Sequence, residues 1–258
     1  MTGLALEGGG SRGSYHIGAM KAFVEAGYMF NGYAGTSIGA INAATFAQGD
    51  YHKAVGLWSE LTTEQLFTAD NYKLLKLGES KWDMRMLAEA REGLRSIRED
   101  RGIDTSIITK VLNDNLDEQR IRAGGCDFAL VTVSIYERRP YELYLEDIPQ
   151  GQLLQYIAAS ACVPGFQSVV IGSNTFLDGA LYNSCPINML INKGYDEIFA
   201  VRTKAPGVFR KVVVPEGVRL RIVVPKHDMG NPMVFSPAKI KENIERGYSN
   251  ARELLRGS

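Results

Sequence analysis

The chain has few cysteines and few histidines, and both shortages narrow what it can be. Cys126, Cys162 and Cys185 are scattered and odd in number. That excludes a disulfide framework and predicts reduced, buried thiols in a cytoplasmic protein. The same scatter, with no Asp/Asn-rich loop of the EF-hand type, leaves no metal site to expect. Excess charge is missing as well: 29 basic side chains balance 29 acidic ones, which argues against a nucleic-acid partner and a polybasic membrane anchor. No apolar run approaches the length of a membrane span. Met1 to Glu7 lacks the basic region and long apolar stretch of a signal peptide and reads as a strand entering directly. Repeats, low-complexity runs and linkers are absent, so residues 1–258 are expected to form one domain with a substantial core.

What the chain does have is glycine at the ends of apolar runs. Gly3 to Leu6 is a strand candidate, followed by Gly8-Gly9-Gly10-Ser11-Arg12-Gly13. A helical pattern runs from about Ser14 to Ala26, with Ile17, Met20 and Val24 three and four apart and Ala19 and Phe23 extending the same apolar side. Gly27 fits as its C′ residue. Gly32 to Gly35 is a second strand and Ile38 to Ala47 an alanine-rich helix able to pack closely on a sheet. Strand–helix–strand–helix argues for a parallel sheet covered on both faces.

From about Tyr51 to Asp117 the pattern is helical and polar. Residues 61–101 carry Trp82, Met84, Met86, Leu87 and Leu94 among many charges. Two readings stand for them: a solvated helix with one buried face, or a mobile cap over a lipid-binding groove. Strands resume at Phe128 to Val133, paired with Tyr141 to Leu145 across Glu137-Arg138-Arg139-Pro140. A helix over Gln152 to Cys162 stops before Pro164. Val169 to Ile171 and Thr175 to Leu177 form a second hairpin. A helix around Pro186 to Lys193 and strands at Glu197 to Val201 and Leu220 to Val224 follow. Ser236-Pro237 then opens an amphipathic helix over about 237–256.

Two segments match Gly-x-Ser-x-Gly: Gly9 to Gly13 and Gly35-Thr36-Ser37-Ile38-Gly39. The second lies between an apolar run and a helix, where a sharp strand-to-helix turn exposes a nucleophilic serine hydroxyl. Serine then needs a base and a stabiliser for the developing oxyanion. The glycines at 8–13 let backbone N–H groups converge on a small anion at a helix N-terminus. They also fit the dinucleotide pattern Gly-x-Gly-x-x-Gly, but no acidic residue ends the second strand to hold a ribose. For the base, His16 and His52 lack a suggestive context. His227 follows a strand and completes the order Ser37, Asp178, His227. Asp178 itself ends the apolar run Thr175-Phe176-Leu177, where a carboxylate is costly to bury unless it is paired or used.

Leu4 to Gly13, Gly35 to Ala40, Ala159-Ser160-Ala161-Cys162-Val163-Pro164 and Asp178-Gly179-Ala180, in that order, resemble the patatin-like phospholipases. The resemblance runs from the start of the chain to about residue 200, and four ordered motifs are far more specific than any one. It implies an α/β fold, a central, mostly parallel sheet sandwiched by helices in a three-layer, modified α/β-hydrolase-like architecture. It implies a Ser–Asp dyad without a catalytic histidine: Ser37 rather than Ser11 as nucleophile, and Asp178 as its base. Gly8, Gly9, Gly10, Ser11, Arg12 and Gly13 would form the oxyanion site, and Gly35, Gly39 and Gly179 the motif turns. Ala180 stands where many members have a second glycine and is small enough for the turn to survive. The activity implied is that of a serine lipid acyl hydrolase of phospholipase A, lysophospholipase or esterase type, working through an acyl-enzyme. It would need no metal or organic cofactor and would touch membranes transiently. Two alternatives are an idle member that binds lipid or a partner, and an esterase assisted by His227.

Overall fold

The computed structural model describes residues 1–67 and 102–257. The helical stretch read over Asp83 to Arg101, with nearly all of the cap-like segment 61–101, lies outside the described residues. The described strands are β1 (Thr2–Leu6), β2 (Gly32–Thr36), β3 (Asp127–Ser134), β4 (Arg139–Tyr144), β5 (Val169–Ile171), β6 (Asn174–Asp178), β7 (Glu197–Val201) and β8 (Arg219–Val223). The described helices are α1 (Ser14–Glu25), α2 (Ile38–Ala47), α3 (Tyr51–Glu60), α4 (Ser106–Asn115), α5 (Glu118–Ala123), α6 (Leu153–Ser160), α7 (Ile187–Asn192) and α8 (Pro237–Arg256). All eight strands join one sheet in the order β5-β6-β3-β2-β1-β7-β8, with β4 on the other edge of β3. The pairings β3–β2–β1–β7–β8 are parallel, and those of β4, β5 and β6 are antiparallel. The sheet is therefore mixed and mostly parallel, flanked by helices.

Strand alternation assigns the two faces. Ala200, Ala5, Ala34 and Ala129 are register partners across β7, β1, β2 and β3. This row of small residues lies in the cluster that takes Ile187, Met189 and Leu190 from α7. The alternate residues Leu4, Leu6, Tyr33, Phe128, Leu130 and Phe199 point the other way, into the larger core shared with α1, α2 and α8. Helix α1 ends as its sequence suggests, with Gly27 at φ +82° and its N–H bonded to Val24 O. Val24 departs from the expected apolar side. It is exposed with Lys21 and Glu25 in the last turn, while Ala22 and Phe23 are buried in its place.

Two features of this topology position the site. The order reverses at β1, whose neighbours are β2 and β7, so a crevice opens at the carboxyl ends of β1 and β2. And β3 carries two strands end to end along one edge. Its other edge is taken by β4 over Ala129 to Ser134. Thus β2, which stops at Thr36 opposite Val131, and β6, which stops at Asp178 opposite Thr132, must abut. The chain leaves β2 at Ser37, next to the place where β6 arrives at Asp178.

Candidate active site

Ser37 occupies the junction between β2 and α2 at φ 58° and ψ −130°, a conformation unfavourable for a residue with a side chain. Its flanking glycines are required by close approach. A Cβ on Gly35 would lie 2.2 Å from Gly39 O, and one on Gly39 would lie 2.2 Å from Leu6 O. The backbone is braced by a residue that sequence reasoning quoted without giving it a task. The Ser37 N–H donates to Ser160 Oγ at 3.0 Å, and the Ser160 hydroxyl donates to Val131 O at 2.6 Å. Ser160 is fully buried, so the hydroxyl links α6, β3 and the Ser37 turn out of water.

Asp178 is 3 % exposed and Ser37 7 %. The Ser37 side chain lies beside the Asp178 carboxylate and lowers its pKa, and Asp178 Oδ1 accepts from Ala180 N–H at 2.7 Å. The Asp178 backbone is fixed by its N–H to Cys162 O at 2.7 Å. Burial pushes the Asp178 carboxyl up to about 6, against the downward pull of the Ala180 N–H and the Ser37 hydroxyl.

The glycine loop lies alongside. A Cβ on Gly8 would sit 3.1 Å from Ser37 Cβ. Its N–H groups are unequally engaged. Gly8 donates to Ser184 O at 2.9 Å, Ser11 to Pro232 O at 2.8 Å and Arg12 to Gly9 O at 3.1 Å. Among the described residues no acceptor meets the N–H of Gly9 or Gly10, and both line the cavity with Ser37. Gly9 has φ +139° and Gly10 φ +53°, and a Cβ on Gly10 would strike Pro232 O at 2.0 Å. The Arg12 guanidinium points away from the cavity, to Gly230 O at 2.9 Å and Lys204 O at 2.8 Å. Ser11 Oγ donates to Asn231 O at 3.0 Å.

Glu7, which the motif alone does not single out, anchors the loop. It is 1 % exposed and holds the Arg202 guanidinium at 2.7 Å, the N–H of Thr203 at 2.5 Å and that of Lys204 at 2.9 Å. The Thr203 hydroxyl in turn donates to Gly8 O. The signal available in the sequence was an acid ending the apolar run Leu4-Ala5-Leu6, a place where a carboxylate needs a partner.

Ser37, Asp178, Gly9 and Gly10 open onto a cavity of about 520 Å³. Its described walls are almost wholly apolar: Ile38 and Ile41 from α2, Leu57 and Trp58 from α3, Val111 and Leu112 from α4, with Phe67, Phe166 and Phe235 from loops. Asp178 is the one charged residue among the described lining residues, and no histidine is among them. His52 and His227 are exposed. His16 is buried against Asn42 Nδ2 at 3.2 Å, and burial drives its pKa down to about 3. The three cysteines are unpaired thiols. No described helix is long and apolar enough to cross a membrane.

The family model for patatin-like phospholipase matches residues 4–191. An uncharacterized NTE family protein of Mycobacterium bovis is 27 % identical over 272 aligned residues, covering 98 % of this chain but 40 % of its own length. Neuropathy target esterase sws of Drosophila melanogaster is 25 % identical over 204 residues, covering 77 % of this chain and 12 % of that protein. The chain thus spans well under half the length of these relatives. In structure it is similar to VipD from Legionella pneumophila, with a TM-score of 0.53 at 13 % identity over 99 % of this chain and 67 % of that one. At that identity the likeness concerns the fold alone.

Proposed function

Since the chain belongs to the patatin-like phospholipase family, we propose that it is a serine hydrolase cleaving carboxylic ester bonds of lipids through Ser37 and Asp178. The observation that carries the reading is Ser37, on its sharp turn, and the buried Asp178 together lining one apolar cavity. A pKa near working pH suits a general base. Asp178 takes the Ser37 proton as Oγ attacks the ester carbonyl, and the N–H groups of Gly9 and Gly10 meet the oxyanion. The tetrahedral adduct collapses as Asp178 returns the proton to the departing alcohol, leaving the acyl group on Ser37. Water, deprotonated by Asp178, then attacks the acyl-enzyme and releases the fatty acid and free Ser37. Of the six residues first assigned to the oxyanion site, this scheme gives direct contact to Gly9 and Gly10. Gly8, Ser11 and Arg12 hold the loop in place.

Ser37→Ala and Asp178→Asn are each expected to reduce hydrolysis of a p-nitrophenyl acyl ester to background, while His227→Ala keeps most of it. Loss of activity in a folded His227→Ala protein would overturn the dyad. A wild type that fluorophosphonate fails to label, beside a labelled control hydrolase, would favour the idle binder. Mass spectrometry of a mixed lipid extract after incubation, with Ser37→Ala as blank, identifies the natural ester.

A further inference from the structure

Part of the cavity wall comes from a stretch of chain that keeps several large apolar side chains in water. Beyond β7, residues 204–215 read Lys-Ala-Pro-Gly-Val-Phe-Arg-Lys-Val-Val-Val-Pro, with three basic side chains and no acidic one. This arm is stitched to the turn after Asp178. Val208 N–H donates to Ala180 O at 2.8 Å, and Val208 O accepts from Ser184 N–H at 2.7 Å. The Arg202 guanidinium lies 3.6 Å over the Phe209 ring and that of Arg210 4.3 Å over Tyr182. Ala205, Pro206 and Gly207 of the arm, with Leu181 of the turn, belong to the cavity wall. The arm and the turn nonetheless leave large apolar side chains in solvent. Val213 is 75 % exposed and Leu181 47 %, and Val208, Phe209 and Val214 are exposed too, beside exposed Lys204, Arg210 and Lys211.

We infer that this arm and Leu181 form the surface by which the protein docks on an anionic lipid bilayer, setting the cavity mouth against the membrane. Apolar tips flanked by basic side chains are the pattern of an interfacial anchor. The tips enter the acyl boundary and the cations meet anionic headgroups. The choice of a lipid surface rests on the hydrolase reading, because Ala205, Pro206 and Gly207 of the arm line the cavity that a lipid ester would enter. The basic side chains supply the complementarity to anionic headgroups.

Flotation with vesicles tests it, using the Ser37→Ala protein so that the lipid stays intact. It is expected to float with equimolar phosphatidylcholine/phosphatidylserine vesicles more than with phosphatidylcholine alone. Val213→Ser/Val214→Ser in that background is expected to weaken binding roughly tenfold, from two lost apolar contacts. Lys211→Glu is expected to weaken it roughly fivefold on the phosphatidylserine vesicles alone. With Ser37 restored, the same variants should hydrolyse soluble p-nitrophenyl butyrate at the wild-type rate. Equal flotation of Val213→Ser/Val214→Ser and its parent, or no flotation of the parent, overturns the proposal. So does a change of oligomeric state on sedimentation with vesicle binding unchanged, which would assign the arm to a second copy of the chain. Vesicle binding by a protein that cannot cleave the butyrate ester sinks the hydrolase reading and leaves the docking surface standing.

Discussion

Asp178 concentrates the chemistry and the cost of the site in one side chain. Its unfolded carboxyl titrates near 3.8 and its folded one at about 6. Between those values the folded chain binds the proton more tightly than the unfolded one. Stability linked to this group is therefore fully present below about pH 4 and falls as the pH rises through 6. Above that the ionised, desolvated form costs about 3 kcal/mol. Activity runs the opposite way, because the base must be ionised. The prediction is a kcat/KM profile that rises to a plateau above about pH 6, measured on a soluble ester. Asp178→Asn removes the titration while keeping an oxygen for the Ala180 N–H. It is expected to raise Tm at pH 8 and to change it little at pH 4, with activity lost throughout. An Asn variant no more stable than wild type at pH 8 would mean that Asp178 is not held as a strained, buried anion.

Elements bring the parts together, and here the legible and the illegible separate. The run β1, glycine loop, α1, β2, Ser37, α2 was readable because every signal in it is local: short apolar stretches, glycines at their ends, helical spacing. The hairpin that ends at Asp178 was readable for the same reason. Its docking on the edge of β3 directly beyond β2 was not, since strand partners are chosen across the whole chain. That choice is what brings Asp178 to Ser37. The braces of the glycine loop were hidden for another reason. Arg12 and Ser11 bond to the backbone carbonyls of Lys204, Gly230 and Asn231, and a carbonyl leaves no trace in residue identity. Glu7 and Arg202, at the ends of β1 and β7, give the element-scale prediction. Glu7→Gln leaves Arg202 without its partner and is expected to cost about 3 kcal/mol. That is the low end for a broken buried pair, because part of the Arg202 side chain reaches solvent. Kinetically it should lower kcat more than raise KM, since the pair holds the loop that carries the Gly9 and Gly10 N–H groups. Glu7→Gln/Arg202→Met removes the stranded charge and should recover stability in urea titrations without recovering kcat. Full recovery of turnover in the double variant would show that the pair stabilises the fold and does not position the loop.

At the scale of the molecule the question is whether the part beyond residue 191, where the family match ends, folds as one unit with the part before it. The packing joins the two parts closely. Strands β7 and β8 extend the sheet from β1, and α8 lies along α1 with two glycines at the contact. A Cβ on Gly18 would sit 1.8 Å from Ile244 O, and one on Gly247 would sit 2.1 Å from Tyr15 O. Both obstacles are backbone atoms, so no rotamer change relieves them and the helices would have to part. This reverses the sign of an ordinary substitution. Glycine to alanine inside an exposed helix stabilises by roughly 0.5–1 kcal/mol. Gly56 in α3, where an added Cβ meets nothing within 4 Å, should behave that way. Gly247→Ala should instead destabilise, by about 1–3 kcal/mol for an overpacked contact, lowering Tm by roughly 2–4 °C for each kcal/mol lost. Because the contact joins the tail to the first helix after the glycine loop, the whole transition should move. Far-ultraviolet circular dichroism, tryptophan fluorescence and residual esterase activity are expected to melt together in wild type and in Gly247→Ala. A separate early transition in Gly247→Ala, with activity surviving it, would mean that α8 is an appendage and that the catalytic half folds without it.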